Sequence, residues 1–472
     1  MPDTRNVATP TKVYAEALPL WVKCRAVCSG EEAVKDHDEL VGNVDNFLVP
    51  FSPTMDQEQY QFLKREAELP GVVAEFKQLL IGALLRREPQ ITIPGATDEA
   101  INWIINEFGV DGSPILAYMS KLLDEELEST YGWTHVDYDG ATPFPVLYPA
   151  EAIINVRRTN QILTQVVISV YEEVPSEDSE FHPDFEQKVY VHELVEGSYQ
   201  VRKFYQQDGA GEWLQEAPVI PLKDDKPLDF IPLWPNNGEI TPGKPFLLTL
   251  VNKEIALYNK ITRRNHLMYS ASTYTPYTIG VDDEAFRKIV NSGLGSWLQL
   301  PADADLKVLE PPTGSLQDLE KAIATGFEEM AKLGVRMLSP ETAQSGTALN
   351  IRNASQSAKI GTLNTRVGVI IRQIIALMAN WRYGLSVTYD QIKFDLQSDF
   401  TAYTGDEAWL RLLTEWYENN LIPRSIWIRI LKSAEKLPDD YNDEEGKVEM
   451  AKQERIGDKS YSERLNDQAV DE

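Results

Sequence analysis

A chain of 472 residues has room for about two to four domains, and its composition (43% hydrophobic, 10% aromatic, 25% charged) is that of a protein that buries a core. Its 45 basic and 73 acidic residues leave a net charge of −28, which excludes a protein that coats DNA by neutralising phosphates, though not one past which DNA slides. Two cysteines, Cys24 and Cys28, exclude a disulfide scaffold and a four-cysteine zinc site, and five scattered histidines argue against a histidine-rich metal enzyme.

Met1 to Pro10 is polar and lacks the apolar stretch of a secretory signal. No run of 18 apolar residues occurs. The most apolar helical stretch, Ile360 to Leu385, carries Arg366, Arg372 and Arg382, so it reads as a buried helix and no membrane span is expected. The expectation is a soluble, intracellular protein with reduced thiols.

In chain order, Ala15 to Val27 suggests a short helix, and Phe47 to Pro53 is a proline-bounded apolar patch. Asp56 is placed to cap a helix carrying Tyr60, Leu63 and Ala67. Pro70-Gly71 ends it, and Val72 to Arg87 forms a second helix. Thr97 or Asp98 caps a third, with Ile101, Ile104, Ile105 and Phe108 on one face. Ser113-Pro114 opens a fourth, through Leu116 to Leu127. The period then changes. Ile162 to Val170 is β-branched, and Val189–Leu194 and Tyr199–Tyr205 alternate about Gly197, a hairpin signal. Trp213 to Leu222 and Phe230 to Trp234 add short strands, and acidic Glu172 to Glu180 reads as an exposed loop.

Phe246 to Met268 is a long helix with Leu247, Val251, Ile255, Tyr258 and Ile261 on its apolar face. Ser315 caps another, with Leu316, Leu319, Ile323, Phe327, Met330 and Leu333 at steps of three or four. Between them Ser272 to Pro312 is compact, mixed and rich in Gly and Pro. A small polar loop spans 338–350. A third long helix follows, striped by Ile360, Leu363, Val367, Ile370, Ile374, Leu377 and Trp381, with Gly361 and Gly368 as bends or close-contact points. Val387 to Phe394 alternates as a strand, Asp406–Asn419 and Pro423–Ala434 are amphipathic helices, and an acidic tail begins at Asp439.

Enzyme signatures are weak. His192-Glu193 has no second histidine at zinc-binding spacing and reads as a surface pair on a strand. Ser345-Gly346-Thr347 lacks a P-loop's Gly-Lys. Residues 440–451 place Glu445 where a calcium loop needs Gly and Ala451 where it needs Glu. No catalytic set, metal or cofactor is expected. The abundant acids and ten tryptophans leave a carboxylate-dependent carbohydrate-active enzyme as a distant alternative.

The order of elements is the informative feature: helices, β-rich region, long helix, compact insertion, long helix, small-residue loop, long helix, strand, terminal helices. With Asn102-Trp103-Ile104 to Gly112, Tyr148-Pro149-Ala150-Glu151-Ala152-Ile153, Gly295-Ser296-Trp297 to Leu300-Pro301, and Glu341-Thr342-Ala343 before a long helix, it resembles the portal proteins of tailed double-stranded DNA bacteriophages, of podovirus and cyanophage type. The resemblance covers roughly residues 55–435.

It implies an α+β portal-like fold: an N-terminal segment (1–56), a wing (57–242), stem helices (243–271 and 315–337) flanking a clip (272–314), a tunnel loop (338–350), a long wing helix and strand (351–404), a crown (405–438) and an acidic tail (439–472). It also implies a homo-oligomer, usually twelve subunits, assembled in the host cytoplasm and set at one vertex of the virion. Its partners would be duplex DNA in the channel, the terminase, a head–tail adaptor and the major capsid protein. Another virion structural protein, a minor capsid or tail-adaptor subunit, is the alternative. Twelve copies would carry a formal −336, which repels phosphate. Thr342, Gln344, Ser345 and Thr347 would form the tunnel loop. Lys260, Arg263, Arg264, Lys321, Lys332 and Arg336 would be the stem cations that face DNA, or ordinary surface charges paired between subunits with Glu254, Glu320, Glu328 and Glu329. Leu319, Ile323, Phe327 and Met330 would be core or subunit-interface residues.

Overall fold

The computed structural model describes residues 6–395 except 87, 176–180, 207–211, 224–225, 273–274, 292–302, 310–313 and 339–346, and beyond them only 414, 424, 427, 428, 431, 437 and 441. The chain divides into two compact units, Met1–Ser398 and Asp399–Glu472, and the first holds nearly all of the described residues. The expected crown helices and acidic tail lie outside the described residues, apart from those isolated positions.

Helices come first: α1 (Lys12–Ser29), α2 (Glu31–His37), α3 (Gln57–Glu66) and α4 (Val72–Leu84). Thr11 caps α1 by accepting the Tyr14 N–H. Asp56 caps α3 in a reciprocal box with Gln59. After a short strand β1 (Gln90–Thr92), Thr97 caps α5 (Asp98–Asn106), and α6 (Ile115–Glu128) starts after Pro114. Helix α1 extends past the 15–27 stretch that its apolar residues mark, and it buries Cys24 and Cys28; burial pushes the Cys24 thiol up to about 12.

The β region holds two antiparallel sheets. One pairs β2 (Trp133–Tyr138) with β3 (Pro143–Tyr148) and, on the other edge, with β11 (Leu233–Pro235). The other is a five-stranded meander of β4 (Ile153–Thr159), β5 (Ile162–Val174), β6 (Asp184–Val195), β7 (Ser198–Gln206) and β8 (Trp213–Gln215). The β6–β7 turn places Glu196 and Gly197 at positive φ, the geometry that matches the twist of a two-residue hairpin. A minor pair, β9 (Leu222–Lys223) and β10 (Lys226–Pro227), follows. Strand β5 runs to Val174, into the stretch whose acidity suggests a loop. Glu172 stays in the sheet because it accepts the Tyr190 hydroxyl and pairs with Lys188 at 2.9 Å.

Between the sheets and α1 lies an aromatic core. Trp21 stacks on Tyr131 (ring centroids 5.6 Å apart), with Trp133, Ile153, Val166, Ile168 and Tyr199 buried around them. Beside it a partly buried ion cluster joins the layers. Arg25 on α1 donates to Glu125 (2.9 Å), Glu128 (2.9 Å) and Glu151 (2.5 and 2.7 Å), and Lys77 on α4 donates to Glu128 at 2.7 Å.

His192 sits on strand β6, as its sequence context suggests, but it is buried rather than part of the surface pair expected there. Its Nδ1 lies 2.7 Å from the Tyr199 hydroxyl, which is 3.3 Å from Nε2 of buried His135 on β2. Burial holds His135 at about 4, the nearby Asp137 carboxylate opposing, and holds His192 well below the usual histidine range. Both rings are therefore neutral in the fold at pH 7. Because the unfolded chain protonates them first, their contribution to stability is present above about pH 6.5 and is lost as pH falls toward 4. Melting temperature should drop across that window. A His135→Gln/His192→Gln variant, compared by thermal melts from pH 7.5 to 4.5, should show a shallower drop than the wild type; an equal slope would refute the assignment.

Candidate functional site

Helix α7 (Leu248–Ser272) is entered from α6: the Phe246 N–H donates to the Thr130 hydroxyl at 3.0 Å and the Leu247 N–H to the Leu127 carbonyl at 3.3 Å. Two polar side chains then clamp it to the helical body. Glu254 is fully buried, and its two oxygens accept the N–H groups of Val72 (2.8 Å) and Val73 (2.7 Å). These are orphan donors of the first turn of α4, whose own N-cap, Gly71, has no side chain and sits at φ +72°. Burial raises the Glu254 pKa and the backbone N–H bonds oppose it. Farther along, Asn259 donates to the Phe47 carbonyl (2.7 Å) and accepts the Val49 N–H (2.8 Å). Glu254 is thus a helix cap within the chain and not a surface acid, which corrects its place among the acids expected to pair with cations. The capping turn lies about 180 residues away in sequence, so spacing gives no sign of it.

Past α7 come β12 (Thr275–Ile279), α8 (Asp283–Asn291) and β13 (Asp305–Leu309), then α9 (Gly314–Leu338). Strand β12 pairs with β13, Thr275 opposite Leu309 and Ile279 opposite Asp305, so the insertion closes on itself where the two helices end. Gly280 is required there: it sits at φ +73°, and a Cβ would lie 2.9 Å from the Asp303 carbonyl oxygen. The module is small and leaves Tyr277, Ile279 and Phe286 42–49% exposed.

Helices α7 and α9 run antiparallel, because Lys253 meets Glu329 (2.6 Å) while Leu257 meets Gly326. Each has 25 residues, about 37 Å. Ile323 and Met330 are buried within the chain, Leu319 is half-buried, and Phe327 is 38% exposed. The sequence stripe therefore divides: Ile323 and Met330 belong to this chain's own core and are unavailable to a neighbour, while Phe327 and part of Leu319 remain outside.

Among the expected cations, Arg263 and Lys321 are exposed. Lys260 is half-buried, Arg264 donates to Asn265 (2.8 and 3.1 Å), and Lys332 pairs with Glu328 at 3.6 Å along its own helix. The Arg336 side chain lies outside the described residues. Lys253, which sequence reasoning passed over, is the partner of Glu329 and with Lys260 and Lys332 holds that carboxyl below the usual range. Thr342, Gln344 and Ser345 lie outside the described residues. Thr347 does not stand in a loop: it opens α10 (Thr347–Tyr383), because Thr347-Ala348-Leu349-Asn350 carries no helix breaker.

Helix α10 has 37 residues, about 55 Å. Its apolar half is core: Leu363, Val367, Ile370, Ile371, Ile374, Ile375 and Met378 are buried. The stretch Gly361–Tyr383 is long and apolar enough to cross a membrane, yet 67% of its apolar 18-residue window is buried inside the chain. Its end is clamped by rings. Trp381 stacks on Tyr138 (5.0 Å), and the Arg382 guanidinium lies 4.2 Å over Trp103. Asn380 then bonds both backbone groups of Val387, which commits 387–391 to a turn. Of the strand expected over Val387–Phe394, only β14 (Lys393–Asp395) forms, and it pairs with β1. Gly361 has open space where a Cβ would stand, and Gly368 only the Phe394 ring at 4.0 Å, so neither is a close-contact point.

A family model described as a domain of unknown function (DUF4055) matches residues 246–382, which take in both paired helices, the module between them and nearly all of α10. No curated protein matches the chain. Among solved structures, it is similar to a chain from the neck of the empty gene transfer agent (GTA) particle computed with C6 symmetry, at 12% identity over 80% of this chain and 90% of that one, TM-score 0.42. It is also similar to a chain from the neck of the native GTA particle computed with C12 symmetry, at 13% identity over 84% and 97%, TM-score 0.38. A chain from the portal and tail of native bacteriophage P68 matches at 10% identity over 79% and 100%, TM-score 0.21. At these values no residue's role is carried across.

Two substitutions test the helix packing. In Gly326→Ala the new Cβ would lie 2.5 Å from the Leu257 side chain, so the variant should lose about 1–2 kcal/mol in denaturant melts despite better helix propensity. Gly82→Ala in α4, where nothing lies within 4 Å, should gain about 0.5–1 kcal/mol. Glu254→Ala leaves two buried N–H groups unmet and should cost about 2–4 kcal/mol by the same measurement.

Proposed function

We propose that the chain is the portal protein of a tailed double-stranded DNA bacteriophage, a ring at one capsid vertex through which the genome is packaged and later leaves. The observation that carries this reading is the antiparallel pair α7/α9 flanking a self-paired strand–helix–strand module and followed by the long helix α10. In this reading α7 and α9 are the stem, and residues 272–314 are the clip that docks the terminase and then the adaptor. The residues between α9 and α10, 339–346, form the tunnel loop, α10 is the long wing helix, and the helices and sheets before residue 242 are the rest of the wing. The ring contacts the major capsid protein and is part of the virion.

Two physical features support it. A stem of two helices has little core of its own, and Phe327 on α9 and Tyr277, Ile279 and Phe286 in the module stay exposed in the single chain. Copies related by rotation would cover such surface in a heterologous, closing interface. A conduit must also not hold its cargo, and a net charge of −28 per subunit makes the bulk of the wall repel phosphate. Packaging energy would come from a partner ATPase.

Negative-stain electron microscopy of the purified protein tests the proposal. Class averages should show rings with a central hole and about twelvefold symmetry, and light scattering a mass near 641 kDa for twelve copies of 53.4 kDa. Compact single particles at every concentration, with capsid scaffold present as well, would overturn it in favour of another virion subunit.

A further inference from the structure

Charge is divided between the two ends of the five-stranded sheet. Residues 152–171 contain no acid, whereas 172–186 contain seven acids and no lysine or arginine. The boundary falls within β5, whose 13 residues span about 43 Å. At its start the β4–β5 hairpin presents Arg157 and Arg158, both exposed. At its finish the β5–β6 hairpin presents Glu173 and Asp184, both exposed. Charges elsewhere in the sheet are met locally: Glu172 pairs with Lys188 at 2.9 Å and Glu193 with Arg202 at 2.8 Å. Among the described residues no such pair reaches Arg157, Arg158, Glu173 or Asp184. Of the acids toward the basic end, Glu193 is committed to Arg202. Glu196 stands on the β6–β7 turn, two strand spacings or at least about 10 Å from β4.

Apolar side chains accompany the charges. Ile162, Tyr171 and Phe185 are 60–70% exposed. Ile162 opens β5 beside the arginines, and Phe185 stands opposite Glu173 in the β5–β6 ladder. The basic tip is also fixed in shape. Asn160 and Gln161 close its hairpin at φ +49° and +68°, the pair of positive values that a two-residue turn between twisted strands requires. A preordered tip gives up little freedom on docking.

We propose that this sheet joins neighbouring copies of the chain head to tail, Arg157 and Arg158 of one copy meeting Glu173 and Asp184 of the next, with Ile162 set against Phe185. The proposal rests on the ring reading and names a surface that closes the ring. A second copy is the occupant that the charges select, because both halves of the contact stand on one chain, at opposite ends of one continuous sheet. The two patches differ, so the contact is heterologous. Copies related by it all point the same way and build a ring or an open filament, not a two-fold dimer. Subunits that each carry −28 repel one another at a distance, and a local match of opposite charge offsets this where they touch. Such pairs also fix register and direction, since like charges brought together there repel.

The test reverses charge at one end of the sheet or at both, in the full-length protein. Arg157→Glu/Arg158→Glu leaves two acidic ends, and Glu173→Arg/Asp184→Arg leaves two basic ones. By light scattering in about 0.1 M NaCl, each double variant alone should need at least about tenfold more protein than the wild type to half-assemble. The four-site variant restores opposite charges and should return to within about threefold of the wild type. An equimolar mixture of the two double variants should also assemble, the two kinds alternating. All four side chains are exposed, so melting temperatures should stay within about 3 °C of the wild type, which separates lost contact from lost fold. Double variants that assemble like the wild type would overturn the contact, as would a four-site variant and a mixture that do no better than either double variant. Microscopy of the same samples keeps the two ideas apart. Wild-type rings with indifferent double variants sink the contact alone. A mixture that associates more than its components yet forms no rings, beside a wild type that forms none, sinks the ring reading alone. Failure of wild type and mixture to associate at all sinks both.

Discussion

One carboxylate decides whether the paired helices belong to the body of the protein. Among the described residues Glu254 has no ion-pair partner, yet it is fully buried, because the first turn of α4 presents backbone N–H groups that nothing local can satisfy. A carboxylate at a helix N-terminus meets both the unmet donors and the positive end of the helix dipole. The bond is reciprocal in effect: α4 acquires its cap from α7, and α7 acquires a fixed rotation about its own axis. That rotation turns Leu257 toward Gly326 and so sets the face on which α9 lies.

The body that receives this bond is itself held by charge. Arg25 joins α1 to Glu125 and Glu128 of α6 and to Glu151 before β4, and Lys77 brings in α4. Breaking one side of such a partly buried cluster leaves uncompensated carboxylates, a loss of about 3–5 kcal/mol. Its value to the fold is geometric, since a guanidinium fork accepts partners only in its plane. Helices and sheets are thereby locked in one arrangement around the Trp21–Tyr131 core. Glu126, next to the cluster, is the exception. Both its oxygens are buried without a hydrogen-bond partner among the described residues, and burial, then the neighbouring Glu125, raises it to about 8, with Arg366 of α10 opposing.

Charge is also sorted along the chain. Acids are frequent overall, absent from 342–389, and mixed with cations on α9. The cations of α10 have no acid on their own helix, whereas on α9 Lys332 pairs with Glu328.

Most of the elements were legible in the amino-acid sequence because they depend on local rules. Caps at Asp56 and Thr97, the Gly197 turn, the 3–4 spacing of the two paired helices and the apolar stripe of α10 each act within a few residues. So did the resemblance in element order, and the α+β class followed from both. The division of the α9 stripe into buried Ile323 and Met330 and exposed Phe327, the shortening of the 387–394 strand by Asn380, and the conversion of Glu254 from surface acid to helix cap were decided only by tertiary structure. The physical reason is the same in each case. Periodicity states which side of a helix is apolar, but not how much of that side this chain covers, and a buried polar group finds its partner through space rather than along the chain.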